Sequence, residues 1–472
     1  MDKLNRILDL IINRVLWDWP LFVFIFFMAL YFTIRTRFVT IRYLRLMPKL
    51  IVQKNTDQEK MSAFQSIALV LANHLGTGNI IGVASAILYG GPGAIVYMCL
   101  ISLFASSLSF AENTLGQLYK TLVGKEYRGG PAYYILGGLK SPFWAYFIAS
   151  AFFIALGHLM PTIQAATIAA TLHQTFRIPK VAVGVVVAFF IFLIISGKSK
   201  RIMRWAEILV PFMSLFYLFL AFVILLVNMT KLDDILLLMI QSAFNRRSLF
   251  GGMIGSAINY GVRRGLFTNE AGLGTGPNIL SSANVPHPAH QGLISAFSVF
   301  IDTLVMCTLT AAILLITDSY NVMDRTGFVY QGVPGIPYEE YVQIAVGTVF
   351  HRFGSVFVAL AIFLFGFTAL FGGYYNAQTN LIFLFKRGKA LSIMNGIYQG
   401  VFLLIIFFSS IYDTSIAWKF TDIGVGIAYF LHLFVLFLLR KDVLYVLKDF
   451  EQKQKQGDSR PFHDPKFECW KM

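Results

Sequence analysis

Residues 61–88 form an apolar segment of membrane-crossing length with a polar run at its middle, Ala72-Asn73-His74-Leu75-Gly76-Thr77-Gly78-Asn79. Glycine costs about 1 kcal/mol against alanine inside a helix, and each of these polar side chains needs a partner in lipid. A kinked helix packed on its neighbours would account for one such run. The run has a second copy, however. Leu273-Gly274-Thr275-Gly276-Pro277 repeats Leu75-Gly76-Thr77-Gly78-Asn79, again inside a membrane-length segment, and follows Thr268-Asn269-Glu270-Ala271-Gly272. Interrupted segments in corresponding positions of two halves point to the binding site of a secondary transporter. There, half-helix N-termini face an anionic group and unwound carbonyls face a cation.

The remaining composition agrees. Of 472 residues, 57% are hydrophobic and only 13% charged, where a soluble chain carries roughly a quarter charged. The net charge of +15 could suit a nucleic acid, but the basic residues fall in short loops between apolar spans, as the positive-inside rule requires. No nucleic-acid partner is expected. Cys99, Cys307 and Cys469 are far apart and odd in number, which excludes a disulfide framework and a zinc site. No cleavable signal is evident. Residues 1–18 are amphipathic, with Asp2, Lys3, Arg6, Asp9 and Arg14 among leucines and isoleucines, and suit the membrane surface.

With about 18–20 apolar residues per span, eleven spans are expected: 16–34, 62–88, 94–118, 142–173, 179–196, 206–229, 251–283, 292–316, 353–385, 391–411 and 417–439. Lys54, Lys120, Lys198 and Arg387 belong to basic clusters that all fall on one side under this count. The N-terminus is then outside the plasma membrane and the C-terminus inside. Residues 232–250, with Asp233, Asp234, Arg246 and Arg247, read as an external surface helix; 317–352 read as a long outer loop and 442–472 as a charged cytoplasmic tail. The expected fold is all-α and polytopic. An N-terminal part (1–60) precedes two five-helix repeats, 61–229 and 230–441, and the tail follows. An odd number of spans per set inverts the second against the first, and a broken span leads each.

Gly76-Thr77-Gly78-Asn79, Gly90-Gly91-Pro92-Gly93-Ala94, Phe110-Ala111-Glu112 and Arg128-Gly129-Gly130-Pro131-Ala132-Tyr133-Tyr134 are the first blocks of a wider pattern. Phe267-Thr268-Asn269-Glu270-Ala271-Gly272-Leu273-Gly274, Gln291-Gly292-Leu293 and Phe300-Ile301-Asp302-Thr303 complete it. Together they resemble the sodium:alanine/glycine symporter family, bacterial and archaeal sodium-coupled amino-acid carriers with a leucine-transporter-type fold. The similarity runs over about 60–385 and is general in character beyond that.

A zwitterionic amino acid brings one carboxylate and one ammonium. The free amides around Gly76, Thr77 and Gly78 suit the carboxylate, because glycine lets the backbone approach and a half-helix presents its positive end. The resemblance implies the same role. It also places the Asn79 amide oxygen and the Thr268 hydroxyl at one sodium site. Thr368 falls at a second, beside carbonyls near Ala72 and Leu75. Each of these threonines could instead bond back to its own helix. At the second break, Asn269 and Gly272 are further candidate substrate contacts. Asp302 and Glu270 are intramembrane carboxylates, costly to expose to lipid. Either could bind sodium, hold a proton or pair with Arg264. Glu112 lies near the end of span three, where a solvated or gate-pairing role is expected.

Three positions depart from the family pattern. Gln164 matches a glutamine lining the substrate pocket, but the asparagine that usually follows two residues on is Ala166. His74 replaces an arginine before the first break. A tryptophan that caps the small pocket reads Gly373. A pocket opened at Gly373 would take a larger or more polar side chain than alanine, glutamine being one. Otherwise Tyr374 or Tyr375 fills the gap and alanine remains the substrate. The expected activity is sodium-coupled uptake of a neutral amino acid, with the bilayer as surroundings. Proton coupling is the alternative, because His74 titrates near neutrality, as is a channel or sensor of the same fold. An enzyme is not expected: no Ser/His/Asp set, HExxH or phosphate loop is present.

Overall fold

After helix α1 (Trp19–Arg35) come two short helices, Val39–Arg42 and Met47–Ile51, and then α2 (Ala63–His74), the first half of the first broken segment. A capping box starts α2: Ser62 Oγ accepts from Gln65 N at 3.0 Å and Gln65 Oε1 accepts from Ser62 N at 3.1 Å, satisfying amides that a helix start leaves free. One 3₁₀ turn, Thr77–Asn79, separates α2 from α3 (Ile81–Gly90), and α4 (Gly93–Leu118) follows. Strands β1 (Thr121–Val123) and β2 (Glu126–Arg128) form a hairpin before α5 (Pro142–Phe176), α6 (Lys180–Ile195), α7 (Ser199–Val227) and α8 (Leu232–Phe244). The second broken segment is α9 (Ile254–Asn269) and α10 (Thr275–Leu280). Then come α11 (Pro288–Ile316), a hairpin of β3 (Asn321–Asp324) and β4 (Gly327–Gln331), α12 (Tyr341–Phe350), α13 (Arg352–Phe385), α14 (Lys389–Ile411), α15 (Thr414–Leu438) and α16 (Arg440–Gln456).

This computed structural model describes residues 8, 10–17, 19–53, 60–197, 199–244, 253–386 and 388–471. Asp2, Lys3, Arg6, Asp9, Lys54, Lys198, Arg246, Arg247 and Arg387 lie outside the described residues. Seven of the described helices, α4, α5, α7, α11, α13, α14 and α15, are each long and apolar enough to cross a membrane. Their outer faces are apolar too. Phe189 on α6, Phe212 and Phe219 on α7 and Leu404 on α14 are exposed, as suits lipid contact.

The two broken segments lie side by side and antiparallel. Met61, just before α2, forms a parallel bridge with Ala283, just after α10, and Asn284 N donates to Met61 O at 2.9 Å. At the other end a Cβ on Gly90 would sit 3.1 Å from Ala257 Cα near the start of α9. The two breaks therefore meet at mid-height.

Two helices that flank the breaks carry wide π turns. In α5, Pro161 offers no N–H, and Met160 N reaches back to Ala155 O at 3.0 Å. In α11 the π stretch Phe300–Cys307 carries Asp302. Such turns re-aim side chains and occur frequently at functional sites.

Two regions carry structure that the sequence reading did not describe. The expected outer loop at 317–352 contains the β3–β4 hairpin and α12. The charged tail is docked: α16 packs back on the bundle, Phe462 N donates to Pro286 O at 2.8 Å, and Trp470 Nε1 donates to Gln117 O at 3.1 Å. Aromatic side chains spaced among the tail's charges drive this docking; Phe450, Phe462 and Trp470 are all buried.

Candidate binding site at the two helix breaks

At the first break α2 unwinds after His74. Gly76 N turns to His74 O at 2.8 Å, and it also points to Asn79 Oδ1 at 3.1 Å. Thr77 N donates to Gln164 Oε1 at 2.9 Å. Gly76 has φ −107°, a value open to any residue. Its glycine answers a need for space: a Cβ there would lie 2.8 Å from Gln164 Nε2. A Cβ at Gly78 would lie 2.7 Å from Phe267 of α9. The first break is thus a place of close approach, with Gln164 laid across it from α5. Ala72, Leu75 and His74 are buried there, His74 with its Nδ1 unpartnered among the described residues.

The second break is built differently. Gly272 and Gly274 have φ +85° and +90°, a region costly for residues with a Cβ. Glu112 of α4 takes the freed amides, its Oε1 accepting from Gly272 N at 3.2 Å and its Oε2 from Gly274 N at 2.9 Å. Helix α15 holds the carbonyls. Tyr429 OH lies 3.0 Å from Leu266 O and 3.2 Å from Ala271 O, and His432 Nδ1 lies 2.7 Å from Gly272 O. Since that ring nitrogen donates, His432 Nε2 is left to accept from Tyr134 OH. Glu112 is 1% exposed, so the expected solvated or gate-pairing role gives way to a buried brace. Gly272, expected as a substrate contact, donates its amide to that brace.

Between the breaks sits a polar cluster. Asn79 Nδ2 donates to Asp302 Oδ1 at 2.5 Å, and Thr303 Oγ1 donates to Asp302 Oδ2 at 2.9 Å. Asn269 Nδ2 donates to Thr303 Oγ1 at 3.0 Å and to Ser102 Oγ at 2.9 Å. Thr268 Oγ1 lies 3.5 Å from Thr303 Oγ1 and donates to Gly265 O at 3.0 Å. Asn79, Thr268, Asn269 and Asp302 therefore come together. Thr303 and Ser102 join them unforeseen, although the Asp302-Thr303 pair was a signal in the sequence. Asp302 is fully buried with neutral donors on both oxygens. The Asp302 carboxylate and the hydroxyl oxygens of Thr268 and Thr303 are groups suited to a hard cation, whereas the amides of Asn79 and Asn269 turn their N–H groups to this cluster and their oxygens to Gly76 N and Ala271 N.

Thr368 is not drawn into this cluster. Its hydroxyl donates back to Phe365 O at 3.0 Å. It does lie on α13, which runs along the first break: a Cβ at Gly366 would be 3.1 Å from Thr77 Cγ2, and one at Gly372 would be 3.1 Å from Asn73 N.

Gln164 and Gly373 line a small cavity of about 20 Å³ together with Asn73, Glu270, Thr275 and Asn376. Asn73 Nδ2 donates to Glu270 Oε2 at 2.5 Å across it. Arg264 does not pair with Glu270 or Asp302 as one reading allowed. It reaches Asp422 of α15 at 3.5 Å and stacks over Trp418 at 3.8 Å, while Arg263 also pairs with Asp422. A larger cleft of about 990 Å³ lies between α1 and α9, lined by Phe22, Phe26, Met253 and Tyr260 among others. It is away from both breaks.

The family pattern described as the sodium:alanine symporter family matches residues 1–464. The chain belongs to this family. It is 39% identical to a putative sodium/proton-dependent alanine carrier protein of Bacillus subtilis, over 96% of this chain and 94% of the relative. It is 35% identical to a probable sodium/glutamine symporter of the same organism, over 98% and 95%. A sodium/alanine symporter of Methanococcus maripaludis is 30% identical, over 94% and 97%. Among solved structures, a manganese transporter of Eremococcus coleocola aligns with a TM-score of 0.51 at 14% identity, over 81% of this chain and 77% of that one. That likeness shows a shared fold. The family member described here is thus a multi-pass membrane transporter.

Proposed function

We propose that the chain is a sodium-coupled importer of a neutral amino acid in the plasma membrane, working by alternating access around the two breaks. One observation carries the coupling. Asn79 accepts from Gly76 N at the first break and donates to Asp302 Oδ1 in the oxygen cluster. A single side chain thus joins the amides that suit a carboxylate to the group that suits a sodium ion. In this reading Gly76, Thr77, Gly78 and Gln164 meet the substrate, with Asn269 behind them. Asp302, Asn79 and Thr268 hold sodium; Thr368, with carbonyls near Ala72 and Leu75, is a second candidate site. The repeats 61–229 and 230–441 rock against each other, with the N-terminus outside and the C-terminal tail in the cytoplasm.

The Gly373 side of the pocket favours a substrate larger than alanine. A Cβ on Gly373 would meet nothing nearer than Asn73 Oδ1 at 3.7 Å. Neither neighbouring tyrosine fills the gap: Tyr374 stacks on Tyr398 at 5.0 Å, and Tyr375 lies under Arg128 at 4.6 Å. One relative is named for glutamine.

Purified protein in liposomes tests the proposal. An imposed inward sodium gradient should drive alanine or glutamine uptake above equilibrium. Uptake unchanged with no ion gradient would overturn coupled transport. Uptake that survives choline in place of sodium but follows a pH gradient would transfer the coupling to protons.

A further inference from the structure

Two protein amides meet the cavity at its two ends with opposite polarity. Gln164 presents an oxygen to Thr77 N, and Asn73 presents an N–H to the Glu270 carboxylate. Neither assignment could be reversed, because a backbone N–H needs an acceptor and a carboxylate needs a donor. Gln164, Asn73 and Glu270 all line the same cavity. At about 20 Å³ it has room for roughly one water, so any larger guest must displace these two amides. A guest that replaces an amide oxygen at Thr77 N and an amide N–H at Glu270 carries an anionic acceptor at one end and a cationic donor at the other. Each exchange strengthens the contact, since charge-assisted hydrogen bonds are roughly twice as strong as neutral ones.

We infer that Glu270 is the ammonium-binding group of the substrate site, with Asn73 holding its place until substrate arrives. This deepens the proposed amino-acid transport and rests on it. Glu270 is suited to the task by its position. It is the residue at which α9 ends, in the left-handed conformation with φ +51°, and it is 4% exposed. The α9 terminus is fixed by Tyr429, and the following amides are fixed by Glu112. The carboxylate therefore projects from a braced turn into a cavity whose other polar linings are neutral. A buried carboxylate whose partners, Thr275 and Asn73, are neutral gains from a cationic partner. The buried arginines of α9 are turned to Asp422 and cannot serve.

The test compares an amino acid with its 2-hydroxy acid, which keeps the carboxylate and side chain but lacks the ammonium. Alanine pairs with lactate, and glutamine with its 2-hydroxy analogue. Binding to purified wild-type protein in sodium chloride should favour the amino acid by at least a hundredfold. In Glu270→Gln that ratio should fall at least tenfold, through weaker amino-acid binding with hydroxy-acid binding unchanged. In Asn73→Ala, which removes the competing donor and leaves the carboxylate in place, the ratio should rise severalfold; this variant decides the matter if Glu270→Gln does not fold. Unchanged ratios in the folded variants would overturn the inference. So would a changed sodium half-saturation with an unchanged ratio, which would make Glu270 a sodium ligand. If wild-type protein shows no sodium-driven uptake of any amino acid, the transport proposal itself fails. If it transports and the ratios do not move, only the ammonium role fails.

Discussion

The two breaks share the run Leu-Gly-Thr-Gly and use it for different ends. At the first, glycine makes room: the backbone at Gly76 is extended, and what matters is how near Gln164 and Phe267 come. At the second, glycine makes the bend, with φ near +90° at Gly274. The first break leaves its amides to neutral oxygens on Gln164 and Asn79, which a charged guest can displace. The second has a resident carboxylate, Glu112, and is pinned by Tyr429 and His432. In the proposed reading one copy of the repeat receives the substrate carboxylate and the other is held fixed beside it.

The contrast is most easily broken at Glu112. Glu112→Ala leaves two buried amides without their acceptor, at about 1–3 kcal/mol each. The melting temperature should drop by many degrees and uptake should be lost. A variant that melts like the wild type would show that the second break is not braced from α4.

Next come two glycine substitutions at matched positions. Gly274→Ala should cost about 1–2 kcal/mol for the left-handed backbone alone, with further strain from Phe152, whose ring would be 2.7 Å from the new Cβ. Gly76→Ala first meets the end of the long Gln164 side chain. It should melt near normally but bind substrate about tenfold more weakly, about 1.4 kcal/mol. Equal losses of stability in the two variants would erase the distinction.

Asp302→Asn should raise the sodium half-saturation about tenfold, again about 1.4 kcal/mol. Sodium-free stability should hold or rise, because a buried charge held by neutral donors is removed. Gly373→Trp should narrow a competition panel toward alanine and glycine, since a tryptophan covers roughly 150–250 Å². An unchanged ranking would mean that Gly373 does not face the substrate.

The smallest effect concerns the far end of the second broken segment. His287 accepts from Ala289 N through Nδ1, and its Nε2 lies 3.0 Å from Asp449 of α16. Burial holds the His287 pKa below its ordinary value, and the hydrogen bond with His287 holds that of Asp449 down. Both groups then bind protons more readily in the undocked state. Docking should weaken as pH falls below about 6.5, first through His287. Amide exchange in 457–471, taken relative to the intrinsic rate at each pH, should quicken between about pH 7 and pH 5. Exchange that is flat across this range would remove His287 from the contact.

The sequence showed the breaks because their polar, glycine-bearing runs interrupt otherwise apolar segments. The family resemblance pointed to Asn79 and Thr268, and the cost of an intramembrane carboxylate pointed to Asp302; the structure brings the three together. It could not show which glycine bends and which makes room, since that depends on backbone angles and on neighbours far along the chain. Glu112 meets its amides across 160 and 162 residues, and nothing local to Phe110-Ala111-Glu112 reveals them. The docking of the tail was not legible because charge dominates its composition, and Phe462 and Trp470 are too sparse to register as a packing face.

The bridging position of Asn79 has a thermodynamic corollary. If an ion near Asp302 alters the grip of Asn79 on the Gly76 amide, the two ligands are linked, and the linkage is reciprocal. Whatever factor sodium contributes to amino-acid affinity, the amino acid must return to sodium. A titration of each ligand at several fixed concentrations of the other then measures a single coupling constant twice, and Asn79→Ala should bring both determinations toward unity together.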